Sequence, residues 1–259
     1  MGKIVSVHSF RGGTGKSNLS ANLAAQVALA GKRVGVIDTD IQSPGIHVLF
    51  GLRPDTMGRT LNEFLRGECT IEETAVNVAD SVVDAPGLDR LAGRTLFLVP
   101  SSIKSQDIAT IVRDGYDINR LNTGLQTMLR SLRLDYLFID THPGLNEETL
   151  LSVATSDMLI IILRPDQQDF QGTAVTVDVA RRLNVPNVHL VVNKALSRYD
   201  FGRIRDRVQQ TYNAPVVAVL PLTEDMADMG SAGLFSLCYP QHPWSEGIRA
   251  MTRRVLDTA

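Results

Sequence analysis

A chain of 259 residues, 44% hydrophobic and 21% charged, has room for a large buried core, and its formal net charge of −2 gives no global pull toward nucleic acid or anionic membrane. Cys69 and Cys238 lack C-x-x-C spacing, so neither a disulfide framework nor a zinc or iron–sulfur site is indicated. The 21 arginines against 5 lysines leave local arginine patches as the route to any polyanion.

In chain order, KIVSVHS (Lys3–Ser9) reads as a first strand and RVGVID (Arg33–Asp38) as a second. Thr95–Pro100, Asp135–Asp140, Asp157–Leu163, Val188–Asn193 and Pro215–Leu220 continue the series of short, Val- and Ile-rich runs. Strands so uniformly apolar are buried on both faces, as in a parallel sheet. Between them, Ser17–Ala30 sets Leu19, Leu23 and Val27 on one helical face and stops at Gly31. Gln168–Leu183, Phe201–Tyr212 and Ser245–Asp257 read as further helices. The fold class is therefore α/β, a doubly wound, mostly parallel sheet flanked by helices, with ligand chemistry at the carboxyl ends of the strands. Val83–Gly93, with Pro86, Gly87 and Gly93, reads as an irregular surface segment. No repeat or composition break divides the chain, so residues 1–259 read as one domain. A strand and a glycine loop open the sequence where a signal peptide would lie, and the run Met158–Leu163 is too short to span a bilayer, so the expected location is cytoplasmic.

The stretch SFRGGTGKSN (Ser9–Asn18) follows the first strand and precedes the first helix, the context of a phosphate-binding loop. Gly12, Gly13 and Gly15 allow backbone N–H groups to turn toward phosphate oxygens, and the helix start near Lys16 adds its positive end. Thr14 and Asn18 complete the loop, Lys16 can reach the β- and γ-phosphates, and the Ser17 hydroxyl can ligate Mg²⁺. Phe10 stands where the usual G-x-x-x-x-G-K-[ST] spelling has glycine.

RGGTGKSN resembles the deviant Walker A motif, K-G-G-x-G-K-[ST], of the ParA/MinD family of dimeric ATPases. The resemblance extends over nearly the whole chain. It implies an ATP- and Mg²⁺-dependent enzyme that dimerises around nucleotide. The family's signature lysine crosses the dimer interface to the partner's phosphates; here that position is Arg11, which keeps the charge and offers a planar fork of donors. The resemblance thus implies catalytic roles for Lys16, Arg11 and Asp40. DTD (Asp38–Asp40) matches switch I, with Asp40 orienting the attacking water and Asp38 on the magnesium side. LFIDTHPG matches Walker B and switch II, with Asp140 supporting the magnesium water shell. Here Pro143 is displaced from the usual D-x-P-x-G. His142 reads as a loop histidine facing solvent or a partner, and none of the five histidines has metal-ligand spacing with another.

Asn193-Lys194 after a buried strand is similar to the N-K-x-D motif of GTPases, but Leu196 occupies the guanine-reading position. The resemblance instead implies that Asn193 contacts adenine, together with backbone around Pro221 and Leu222. It further implies a homodimer in the ATP state, an ATPase-stimulating protein, slow intrinsic hydrolysis, and a role in positioning or partitioning cargo. Candidate contacts to nonspecific DNA are Arg198, Arg203, Arg205 and Arg207 in or beside one helix, and Arg249, Arg253 and Arg254 in the last; a solvated face interleaved with acids explains them equally well. A MinD-like membrane switch is the alternative, disfavoured because Trp244, Ile248, Met251 and Val255 form a core-like stripe and no amphipathic tail follows. Nitrogenase-like and cluster-carrier roles are disfavoured by the cysteines. From another class, an ATP-binding regulatory scaffold with negligible turnover stays open.

Overall fold

The computed structural model describes residues 2–79 and 85–258. Among them the strands are Lys3–His8 (β1), Arg33–Asp38 (β2), Val76–Asn77 (β3), Thr95–Val99 (β4), Tyr136–Asp140 (β5), Met158–Leu163 (β6), Asn187–Ala195 (β7) and Val216–Pro221 (β8). They form one sheet in the order β3-β4-β2-β5-β1-β6-β7-β8. Every pairing is parallel except that of β3 with β4. All seven expected strands are present, with ends shifted by at most two residues. The added β3 is two residues long and carries no periodic pattern to read.

Helices of eight residues or more are Lys16–Leu29 (α1), Ser105–Asp114 (α2), Ile118–Ser131 (α3), Glu147–Ala154 (α4), Gln167–Arg182 (α5), Phe201–Tyr212 (α6) and Pro243–Asp257 (α7). The period-2 alternation of the strands divides the core. Val5, Val7, Val34, Val36, Phe138 and Ile160 face α1 and α7, meeting Leu19, Leu23 and Val27 of one and Trp244, Ile248, Met251 and Val255 of the other. On the opposite face, Ile4, Ile37, Leu137 and Ile139 pack on Leu121, Leu125 and Met128 of α3. Leu159, Ile161, Leu190 and Val192 pack on α5 and α6. Sequence reading named none of α2, α3 and α4; within α2 only Ile111 is buried.

The expectation of an irregular surface segment at 83–93 needs correction. Val83 and Asp84 lie outside the described residues. From Ala85 onward the segment is anchored, with a single helical turn at Leu88–Leu91 burying Leu88 and Leu91 in the main core. Its proline and glycines punctuate a core-packed turn.

Candidate active site

Parallel pairing brings the ends of β1, β2 and β5 side by side, with Asp38 directly opposite Asp140 in register. After β1 the chain enters the glycine loop. Gly15 has φ +94°, in the left-handed region, and a Cβ there would come within 2.6 Å of the Asn193 amide nitrogen. Both facts require glycine. The first backbone bond from the loop into α1 runs from Leu19 N–H to Gly15 O at 3.0 Å, leaving the N–H groups ahead of it directed to the mouth of the site. Thr14 Oγ1 is buried there without a partner among the described residues. Phe10 docks on α5, where Gly172 supplies the room: a Cβ at 172 would lie 2.2 Å from the ring. The departure from the usual loop spelling thus ties the loop to a second helix.

Two further ties come from β7. Lys194 Nζ donates to Gly13 O at 2.8 Å, and Asn193 Nδ2 donates to Thr14 O at 2.8 Å. The Asn193 Oδ1 accepts from Trp244 Nε1 at 3.4 Å. Each end of that carboxamide keeps one unused position for a ligand. Beside it lies a cavity of about 210 Å³ lined by Gly15, Asn18, Pro221, Leu222, Met226 and Trp244.

Asp38 and Asp140 are fully buried. Burial, then repulsion from Asp140, pushes the Asp38 carboxyl well above the usual range. Burial also raises Asp140, opposed by Lys16 and by hydrogen bonds from Ser17 and Ser20. Ser20 Oγ donates to Asp140 Oδ1 at 2.8 Å. Asp38 is held by the N–H groups of Asp40 (3.0 Å) and Gly45 (3.3 Å). A divalent cation beside these acids and the Ser17 hydroxyl would relieve their crowding. Among the described residues no three His, Cys, Asp or Glu side chains form a cage of their own. That suits Mg²⁺, which takes few protein ligands and completes its shell with phosphates and water.

Asp40 lies at the lip, and His142 faces it: Nδ1 is 2.7 Å from Asp40 Oδ1. The sequence expectation of a solvent- or partner-facing histidine is corrected by this contact, which only the packing of switch I on switch II creates. Behind the loop, His8 is kept neutral, its pKa lowered to about 3 by burial and by Lys16 and His142. Its Nδ1 lies 2.8 Å from Thr141 Oγ1. Arg11 turns toward its own α5, with NH1 3.6 Å from Asp169 and 4.0 Å from Asp166.

Lys16, Ser17, Asp38, Asp40 and Asp140 therefore gather at one place, with Asn193, Pro221 and Leu222 at the neighbouring cavity. Lys194, Trp244, Ser20 and His142 were missed as site residues. An N-K pair after a strand was the available signal for Lys194; the others depend on tertiary packing. Among the arginines, Arg198, Arg203, Arg205, Arg207, Arg253 and Arg254 are exposed. Arg249 is the exception: it is half-buried and donates to the Pro240 carbonyl, so it is withdrawn from the candidate DNA surface.

This loop and these strand-end acids are the parts of a P-loop nucleotide-binding domain. Residues 2–191 match the AAA_31 family, described as an AAA domain, and the chain belongs to that family, among the ParA/MinD ATPases. It is 24% identical over 255 residues to an uncharacterised ATP-binding protein of Methanocaldococcus jannaschii, covering 97% of this chain and 87% of the relative. It is 26% identical to an iron–sulfur cluster carrier protein of Rickettsia conorii over 87% of this chain, and spans 63% of that protein's length. The fold is that of the cell division ATPase MinD of Pyrococcus furiosus, with TM-score 0.81, 18% identity and all of both chains covered. A putative plasmid partition protein of Borrelia burgdorferi B31, solved with AMPPNP, aligns over all of both chains with TM-score 0.74 and 20% identity.

Proposed function

We propose that this protein is a nucleotide-switched dimeric ATPase that positions or partitions cellular cargo, hydrolysing ATP to ADP and phosphate. The observation that carries the reading is the convergence of Lys16, Ser17, Asp38, Asp40 and Asp140 around the glycine loop. Lys16, 8% exposed and beside Asp140, holds the terminal phosphates. Ser17, Asp38 and Asp140 would hold Mg²⁺, which supplies charge neutralisation on the phosphates when bound. Asp40 orients the attacking water. Asn193 and the backbone at Pro221 and Leu222 hold adenine. Arg11 reaches the partner's nucleotide in the dimer, and slow turnover rises when an activating protein completes the site.

DNA is favoured over lipid as the matrix. Trp244, Ile248, Met251 and Val255 are each 2% exposed or less. Their apolar surface is already out of water, so a bilayer would return no transfer gain, while withdrawing them would leave cavities in the core that they fill. Arg203 and Arg207 on α6 are already in solvent. No helix among the described residues is long and apolar enough to cross a membrane.

The test pairs two variants. Lys16→Ala should abolish ATP binding by calorimetry. Asp40→Ala should bind ATP, fail to hydrolyse it and accumulate a dimer by light scattering. A strictly monomeric Asp40→Ala protein saturated with ATP and Mg²⁺ would replace this reading with the regulatory scaffold.

A further inference from the structure

Three donors converge on one oxygen of Asp40. The Ser43 N–H and Oγ lie 3.2 Å and 2.9 Å from Oδ1, and His142 Nδ1 lies 2.7 Å from it. Among the described residues no hydrogen bond is made to Oδ2. A carboxylate pinned through one oxygen can rotate only about that anchor, so the other oxygen is aimed. A carboxylate only accepts, which fixes the proton of this contact on His142 Nδ1.

The anchor is itself held. Thr149 Oγ1, at the start of α4, donates to the His142 carbonyl at 3.3 Å. The His142 ring is 23% exposed and the Asp40 side chain 13%, so the pair sits at the lip of the site with limited room to swing. Ser43 comes from the same loop as Asp40 and moves with it. His142 is therefore the donor that joins Asp40 to the segment following β5. The family pattern D-x-P-x-G gives this place to proline, which has no side-chain donor; here the chain reads Asp140-Thr141-His142-Pro143-Gly144.

We propose that His142 is a positioning residue for hydrolysis: its Nδ1–H clamps Asp40 Oδ1 so that Oδ2 meets the attacking water. The inference rests on the reading of Asp40 as the water-orienting group. Removing the clamp leaves nucleotide contacts intact and slows the chemical step. Loss of a group that orients an active-site side chain is expected to cost roughly tenfold to a hundredfold in rate.

The experiment measures single-turnover ATP hydrolysis, ATP affinity by calorimetry and dimer formation by light scattering for the full chain and three variants. His142→Ala should slow hydrolysis at least tenfold with ATP affinity and dimer unchanged. His142→Asn, whose amide nitrogen falls near the Nδ1 position, should recover most of the rate. His142→Gln, whose amide nitrogen falls near Nε2, should not. Wild-type rate in His142→Ala overturns the proposal. Equal rates in the Asn and Gln variants overturn it as well, because the Nδ1 geometry would then be irrelevant. Weakened ATP affinity in all three variants also overturns it, by making His142 a support of the loop. Asp40→Ala separates the two levels: full activity there sinks the reading of Asp40, whereas an inactive Asp40→Ala beside a fully active His142→Ala sinks only the clamp.

Discussion

Asn193 and Thr14 stand 179 positions apart in sequence and are joined by a 2.8 Å hydrogen bond from the Asn193 amide to the Thr14 carbonyl. Trp244 completes the chain of contacts at 3.4 Å, so the phosphate loop, the end of β7 and the start of α7 form one connected body. Trp244 is the chain's one tryptophan and lines the base-sized cavity. Titration with ATP should therefore change tryptophan emission, with GTP giving a weaker response. Asn193→Ala removes the two neutral hydrogen bonds that the free positions of its carboxamide would make to the base, about 1 kcal/mol each, and should weaken ATP roughly tenfold to thirtyfold. Silent fluorescence at saturating ATP would move the base elsewhere, and equal affinity for GTP would end the adenine assignment.

These ties also show where sequence reading reaches its limit. The glycine loop, the acids at strand ends and seven strands were legible because each is a local pattern: spacing, a terminal carboxylate, an apolar run. Asn193 was legible as a residue at a strand end, yet its grip on Thr14 was not, because nothing local encodes a neighbour so distant. His142 was misread for the same reason. A histidine in a loop has no periodic signature, and its partner Asp40 lies 102 positions away. The Leu88–Leu91 turn was misread because Pro86 and Gly87 signal a break in the chain but not its depth.

Arg11 carries the second prediction. Its contact with Asp169 spans 3.6 Å from a side chain that is 41% exposed; Asp169 is 3% exposed but already held through both oxygens by Arg164, so the longer contact adds about 0–1 kcal/mol. That is too little to hold Arg11 back from a partner's phosphates. Arg11→Ala should keep monomer ATP affinity while losing the dimer in an Asp40→Ala background, and Arg11→Lys should keep much of it. Asp169→Ala should strengthen dimerisation by no more than about fivefold. Normal dimers in both Arg11 variants, seen by light scattering, would reduce Arg11 to a loop residue.

A third prediction concerns acid stability. His189 on β7 is buried, with neither ring nitrogen hydrogen-bonded among the described residues. Burial, aided by Arg254, lowers its pKa from 6.5 to about 4. The unfolded chain therefore binds this proton more tightly. The titration of His189 costs almost nothing well above pH 6.5 and destabilises progressively as pH falls toward 4. His8 acts in the same direction, whereas the raised Asp38 and Asp140 act in the opposite one. Relative to wild type, His189→Leu should gain on the order of 2 kcal/mol between pH 7 and pH 5. Denaturant melts at the two pH values decide it; an unchanged difference means His189 does not titrate on unfolding.

The fourth prediction addresses the matrix. The ATP-loaded Asp40→Ala dimer should bind nonspecific duplex DNA, with affinity falling steeply as salt rises, because arginine–phosphate contacts release counterions. A combined Arg203→Ala, Arg207→Ala and Arg253→Ala variant that still dimerises should bind more weakly and show a shallower salt slope. Binding to anionic liposomes in place of DNA would favour the membrane reading. Binding to neither would direct attention to a protein matrix.

The placement of β1 at the centre of the sheet has a consequence during synthesis. Its partners are β5 and β6, and Lys3 pairs with Tyr136, 133 positions later. At roughly 5–20 residues per second, the ribosome takes about 7–27 s to supply that partner. Until then the first strand and its phosphate loop are an apolar segment with unpaired edges on both sides, a species that invites chaperones or aggregation. The nucleotide site is complete only once these distant strands have closed around β1.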